Sequence, residues 1–236
     1  MKITADTKIN DIAAELPESI PVFEHYQVKY CCGQKGTLAE ACKEAKAPLS
    51  LVLEAIQSSL QNASEAKRDW TNAPLPALVR HILDHHHTYE RLQIKTIQHL
   101  FNRVVAIHEK KHKELPTLQN RFEKLAAEYK KHMGKEEASF FPSFQHEVAP
   151  GVGESARRET ARQFLPLIEA LERDHDDLLV EWSKMRALAD DFEAPEDACT
   201  GYRALYKALT NLEEYQQQHI AKENDVLFKR VKAMAN

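Results

Sequence analysis

The sequence predicts an all-α protein: an antiparallel four-helix bundle preceded by a small helical N-terminal domain. Three observations predict it. The 236 residues include only six glycines, and the many Ala, Leu, Glu, Lys and Gln residues are strong helix formers. No segment shows the period-2 alternation of a half-buried strand, whereas apolar residues recur at spacings of three and four. Finally, His87, His132, His175 and His219 follow one another at intervals of 45, 43 and 44 residues. A helix rises roughly 1.5 Å per residue, and helix connections are short. The interval is therefore one long helix plus its turn, and four antiparallel helices would each carry one histidine to the same level.

Residues 1–62 read as the small helical unit. A short helix is expected over 10–16 and a second over 17–26, with Pro17 in its first turn. Tyr30-Cys31-Cys32-Gly33 reads as a turn. Thr37 is placed to cap a helix over 38–45, and Pro48 opens a last one through 60. A unit this short buries little apolar surface of its own. Residues 63–76 are polar, contain two prolines and read as a linker.

The bundle is expected over 77–236, with long helices near 75–107, 118–141, 165–189 and 197–234. Pro142 disfavours helix at the residue before it and marks the end of the second. Pro166 fits a first-turn position in the third, and 154–163 reads as a further helical stretch at an angle.

The helix faces locate the chemistry. In the second helix the apolar stripe is Leu118, Phe122, Leu125 and Tyr129, and it continues through His132, Glu136 and Phe140. In the third, His175 stands among Ile168, Leu171, Leu178, Trp182 and Met185. In the fourth, Tyr202, Leu205, Leu209 and Leu212 lead to His219, Glu223 and Val226. The polar residues thus occupy positions where the helical period demands core. A bare carboxylate there would cost several kcal/mol to desolvate. Two of them, each one turn from a histidine, call for a cation between them.

Residues i and i+4 lie about 6 Å apart along a helix. A His and a Glu at that spacing can grip one binuclear centre. Four His and two Glu give each of two metals two imidazoles, with both carboxylates bridging. An added oxide bridge leaves each metal one open position. Bundle-core His and Glu are how di-iron carboxylate proteins are built, and mixed imidazole and carboxylate donors suit iron or manganese, with zinc as an alternative. Glu137 and Asp225 point off the stripe and read as solvated. In the first helix the spacing does not choose among His85, His86 and His87. His86 aligns with Val79, Ile82 and Tyr89, whereas His87 aligns with Leu83, Ile94 and Phe101.

His108-Glu-Lys-Lys-His112 matches the His-Glu-x-x-His pattern of zinc proteases. That chemistry needs a third protein ligand and a cleft. Here the motif stands at a helix end before Pro116, among Lys110, Lys111 and Lys113, so it is set aside.

Thirty-two basic against 36 acidic residues give a net charge of −4, spread along the chain. No basic block points to nucleic acid. No apolar run approaches the ~20 residues that span a bilayer, and the N-terminus lacks a signal-peptide core. The expectation is a cytoplasmic protein whose four cysteines are thiols or ligands rather than a disulfide framework. Adjacent cysteines make a strained disulfide. At a turn ahead of a helix start, a thiolate is favoured by the helix dipole. Cys31 and Cys32 are therefore candidate transfer thiols. Cys42, one turn after Leu38, reads as core. Cys199 is given no role.

These residues resemble the repair-of-iron-centres family, the YtfE/ScdA/DnrN type of di-iron, hemerythrin-like proteins, over nearly the whole chain. The resemblance rests on Tyr30-Cys31-Cys32-Gly33 followed by Thr37-Leu38-Ala39, and on Asp69-Trp70 and Ala73-Pro74-Leu75. It rests equally on His81-Ile82 with His87, His132-Met-Gly-Lys-Glu136-Glu137, Asp174-His175-Asp176 and His219-Ile-Ala-Lys-Glu223-Asn224. It implies ligands at His87, His132, Glu136, His175, His219 and Glu223, and so resolves the triplet in favour of His87. It implies two oxo-bridged iron ions and the repair of iron–sulfur clusters damaged by nitrosative or oxidative stress, by supplying iron. The clients would be damaged iron–sulfur proteins, with nitric oxide or oxygen as small ligands and no nucleic acid or membrane partner. A homodimer is left open. The alternative is nitric oxide reduction at the di-iron centre, and after it a hemerythrin that binds or senses oxygen.

Two departures stand out. Leu227-Phe228-Lys229 falls where relatives often have proline, which is expected to affect only the helix end. Gly134 replaces a bulkier residue between His132 and Glu136. It either eases access to the metals or faces outward with no role.

Overall fold

The computed structural model of the protein describes residues 3–30, 36–64, 70–144 and 153–236. Among these, every regular element is helical, apart from an isolated bridge between Lys8 and Thr37. The N-terminal region comprises α1 (Ile9–Glu15), a 3-10 turn (Pro17–Ser19), α2 (Ile20–His25), α3 (Leu38–Ala45) and α4 (Leu49–Ser64). Thr37 starts α3 with a capping box. Its hydroxyl accepts from the Glu40 N–H at 3.3 Å, and the Glu40 carboxylate accepts from the Thr37 N–H at 2.8 Å. This satisfies two amides that the helix itself leaves unpaired. Cys42 is buried as the sequence suggests, and burial pushes its thiol pKa up. Cys31 and Cys32 lie outside the described residues.

Four long helical runs follow. The first is α5 (Leu75–His81), a π turn (Ile82–His87) and α6 (Thr88–His108). The second is α7 (Leu115–Lys135), a π turn (Glu136–Phe140) and a 3-10 turn (Phe141–Ser143). The third is α8 (Glu154–Leu188). The fourth is α9 (Thr200–Ala221), a π turn (Lys222–Phe228) and α10 (Lys229–Ala235). Several bounds differ from expectation. Pro116 sits in the first turn of α7, so that helix begins before 118. The α4 helix runs on to Ser64, four residues past its expected end. Pro166 lies inside the 35-residue α8 rather than at its start. An interior proline costs roughly 3 kcal/mol, and the buried Ala161, Ile168 and Leu171 on either side carry the helix through it.

The chain packs as two compact units. The first comprises Met1–Ala66, Leu92–Asn120 and Met185–Glu213. Here the N-terminal helices share contacts with segments of the long runs. The Asn211 amide donates to Glu18 at 2.8 Å, and the Arg103 guanidinium donates to the Tyr30 hydroxyl at 3.0 Å and lies over its ring. Such packing supplies the core that 60-odd residues cannot build by themselves.

The second unit comprises Lys67–Arg91, Arg121–Lys184 and Glu214–Asn236. Its core gathers Leu78, Val79, Ile82, Phe140, Phe141, Ile168, Leu171, Leu227, Phe228 and Val231. Trp70 joins this core, stacked on His81 at 4.2 Å. That part of the expected linker is thus packed. The Arg121–Glu181 pair at 2.6 Å and the Lys232–Glu172 pair at 2.7 Å close its surface.

Gly134 is exposed, and a Cβ built on it would meet nothing within 4 Å. The outward-facing alternative is therefore the one observed. Glycine in a helix interior costs about 1 kcal/mol relative to alanine. Gly134→Ala is expected to raise the unfolding free energy by up to that amount with unchanged metal content, as read by urea denaturation.

Candidate metal centre

Each of the three π turns carries a site residue. His87 ends the first, Glu136 opens the second, and Glu223 lies in the third. A π turn hydrogen-bonds five residues along and is wider than an α turn, and such turns gather at functional sites. The wide turn over 82–87 explains the ambiguous triplet, because it lets consecutive residues face inward. His86 and His87 are both buried, whereas His85 is half-buried.

The six residues singled out by the sequence converge in the second unit, and all are buried. Each carboxylate turns its two oxygens to two different imidazoles. Glu136 Oε2 lies 3.3 Å from His87 Nε2, and its Oε1 lies 3.4 Å from His132 Nε2. Glu223 Oε1 lies 3.1 Å from His219 Nε2, and its Oε2 lies 3.2 Å from His175 Nε2. Donor atoms of these six form two groups able to hold a cation, His132, Glu136, His175 and Glu223 in one and His87, His219 and Glu223 in the other, and His219 also belongs to a third buried group with His86 and Glu90.

The far side of every ring is held by an acceptor. His87 Nδ1 lies 2.7 Å from Glu137 Oε1, which Arg91 also holds at 2.6 Å. His132 Nδ1 lies 3.4 Å from Asp174, itself held by Lys135 at 2.6 Å. His175 Nδ1 lies 2.9 Å from Asn224 Oδ1. His219 Nδ1 lies 3.0 Å from both Glu90 Oε1 and the Tyr129 hydroxyl. An acceptor behind Nδ1 fixes the proton there and turns the Nε2 lone pair inward, the arrangement that orients metal-binding histidines.

That arrangement tests whether a metal fits. His87 Nε2, both oxygens of Glu136 and Glu223 Oε2 are buried and make no hydrogen bond. Protons alone do not resolve the cluster. The Nε2 atoms of His132 and His175 are 2.9 Å apart and cannot both carry one. Burial works against a charged ring at His132, but the facing Glu136 carboxylate outweighs it and raises the pKa to about 9. Burial likewise opposes ionisation of Glu223, yet His219 and His175 hold it well below the usual carboxylate range. The site favours two buried carboxylates and needs cationic charge between them. The residues fit a metal.

Several neighbours were not legible as functional. Glu137, expected to be solvated, is half-buried and pairs with His87 and Arg91, because the π turn rotates it back toward the first helix. Asp225 is exposed, as expected. Glu90 is fully buried, although nothing singled it out. It lies on the same stripe as Ile97, Phe101 and Val104, so the argument used for Glu136 would have found it. Removing the Nδ1 partner of a ligand histidine typically weakens metal binding 10–100-fold. Glu90→Ala is expected to do so here, measured by competition with a calibrated chelator.

His108 and His112 belong to the first unit and take no part in this cluster.

Comparison with known proteins adds three findings. The Hemerythrin HHE cation binding domain matches residues 78–231. The ScdA N-terminal domain, described as a domain of unknown function (DUF542), matches residues 5–60. The iron-sulfur cluster repair protein YtfE of Edwardsiella ictaluri is 30% identical over 226 residues, covering 95% of this chain and 96% of its own. Those of Citrobacter koseri and an Escherichia coli O17 strain are each 29% identical over 230 residues, covering 97% of both chains. Buried histidines and glutamates on four helical runs, an ScdA-type N-terminal region and full-length similarity agree, and the chain belongs to the hemerythrin-like YtfE family of iron-sulfur cluster repair proteins.

Proposed function

We propose that this chain is a di-iron protein that repairs damaged iron–sulfur clusters by supplying iron. The observation that supports the reading is the pair of buried carboxylates, each turned to two imidazoles. His132 and His175 would serve one iron, and His87 and His219 the other, with Glu136 and Glu223 shared between them. The donor set of imidazole and carboxylate suits iron. The relatives' name supplies the repair role. Iron is here the cargo, which these residues would hold until it passes to a damaged cluster.

The working organisation is an N-terminal domain over 1–62 that brings Cys31 and Cys32 as transfer thiols, a connection over 63–76 and the metal-bearing bundle over 77–236. No described helix is long and apolar enough to cross a membrane. A cytoplasmic setting would keep both thiols reduced.

Metal analysis with an optical spectrum tests the site. About two irons per chain, with oxo-bridge absorption, is the expected result for a di-iron carboxylate centre, and a single zinc would overturn it. The repair role is tested by reactivating a nitric-oxide-damaged iron–sulfur enzyme with the iron-loaded protein. Recovery should exceed that given by an equal amount of free ferrous iron. Nitrous oxide production without recovery would favour nitric oxide reduction instead.

A further inference from the structure

We propose that His86, Glu90 and the outer nitrogen of His219 form a third cation position, for ferrous iron, beside the buried centre. The position rests on the di-iron reading of that centre, because His219 serves both. A nitrogen of His86, an oxygen of Glu90 and a nitrogen of His219 lie within 4.8 Å of one another, and all three residues are buried. The spacing His86-x-x-x-Glu90 repeats that of His132-x-x-x-Glu136 and His219-x-x-x-Glu223. Residues four apart on a helix share one face. The pair therefore stands on the inward face of the first long run, where its π turn joins α6. All three residues belong to the second unit.

His86 is the decisive residue. It is 1% exposed, and neither of its ring nitrogens has a hydrogen-bond partner. Each of the four histidines of the centre has a partner behind Nδ1, whereas His86 has none. Buried polar groups are nearly always paired, and an apolar ring would fill the same space without the desolvation cost. Glu90 supplies the charge. Its two oxygens lie 3.0 and 3.1 Å from His219 Nδ1, the nitrogen turned away from the centre. Glu90 and Glu223 flank the His219 ring, which offsets the nearby ammonium of Lys222.

Closing the position takes one rotation. Donors bonded to one ion at about 2.1 Å stand about 3.0 Å apart when at right angles, and Glu90 and His219 Nδ1 already do. The His86 ring lies nearly parallel to that of His219, with centroids 4.7 Å apart and planes at 20°. Its lone pairs thus run beside the ion rather than toward it. The torsion that turns an imidazole is broad, and no hydrogen bond holds this one, so His86 can swing a nitrogen onto the ion. A metal-binding nitrogen must be deprotonated. The cation therefore displaces the proton held between His219 Nδ1 and Glu90, which leaves to solvent, and the His219 ring then bridges two ions through its two nitrogens. Imidazole and carboxylate donors suit Fe²⁺. Further imidazoles lead outward: His81 lies edge-on to His86 at 5.3 Å, and the half-buried His85 lies 4.8 Å from His81.

The test is anaerobic equilibrium dialysis of the full chain against ferrous iron, with Cys31→Ser and Cys32→Ser in place to remove those thiols as ligands. About three irons per chain are expected, against about two once His86→Phe is added. Phenylalanine keeps a flat ring on His219 and removes both nitrogens. The smaller His86→Asn repeats the comparison, and circular dichroism confirms that each variant folds. About two irons in the parent, or about three retained in both His86 variants, would overturn the third position and leave the di-iron centre standing. A fall well below two in the variants alone would make His86 part of the centre itself and overturn a separate position equally. Fewer than two irons in the parent would strike the di-iron reading, and this position with it.

Discussion

Glu223→Leu is expected to strip the centre of metal while making the metal-free protein no less stable. Glu223 contributes to both donor groups, through Oε1 toward His219 and Oε2 toward His175. Glu136 faces both sides as well, through Oε2 toward His87 and Oε1 toward His132. Loss of a ligand shared by both sides should lower metal content by an order of magnitude or more, since even an outer partner is worth 10–100-fold. Glu136→Leu should have a comparable effect. The stability effect has the opposite sign for a physical reason. Two buried carboxylates repel each other and are desolvated; replacing a whole buried ion pair by apolar groups is often neutral or stabilising by ~1–4 kcal/mol, and removing one partner is costly only where it leaves the other charged. The imidazoles left behind can lose their protons and stay neutral, so no charge is stranded. Urea unfolding of the chelator-treated proteins, with metal analysis before treatment, checks both halves. Unchanged metal content in Glu223→Leu would sink the shared-ligand assignment. A loss of ~3 kcal/mol or more in the metal-free state would mean that the carboxylate is a structural ion-pair partner.

The contrast between Glu223 and Glu90 marks what the sequence could and could not reveal. Helical periodicity locates a residue by angle, so His132, His175, His219, Glu136 and Glu223 were legible because each interrupts an apolar stripe. Periodicity assumes one turn width, and it fails where the turn widens. The π turn over 82–87 buries His86 beside His87, and the one after Lys135 swings Glu137 back to the His87 ring. Partners across the bundle are illegible for another reason. That Asn224 lies behind His175, or Asp174 behind His132, depends on how helices far apart in sequence pack. Pro166 shows the reverse error, a strong local signal overridden by the buried residues on either side of it.

Phe228→Ala is expected to be the most destabilising single substitution in the metal-bearing unit. The ring is fully buried, packs edge-on against Phe140 at 5.3 Å, and stacks on His175 at 6.0 Å with an interplanar angle of 11°. Truncating a buried phenylalanine costs ~3–5 kcal/mol, a large part of the 5–15 kcal/mol that holds a typical domain together. The cavity would open against a histidine of the centre. His175 would keep Asn224 behind its Nδ1 but lose the face that fixes its tilt, so metal affinity should fall together with stability. Phe228→Leu separates the two effects. It keeps most of the volume, and a volume-conserving swap usually costs under ~1.5 kcal/mol, yet it removes the flat face that His175 stacks on. If stacking positions the ligand, Phe228→Leu should lose metal affinity out of proportion to its small loss in denaturation midpoint. If Phe228 only fills space, the affinity of Phe228→Leu will match that of the unsubstituted protein, and only the alanine variant will leak metal.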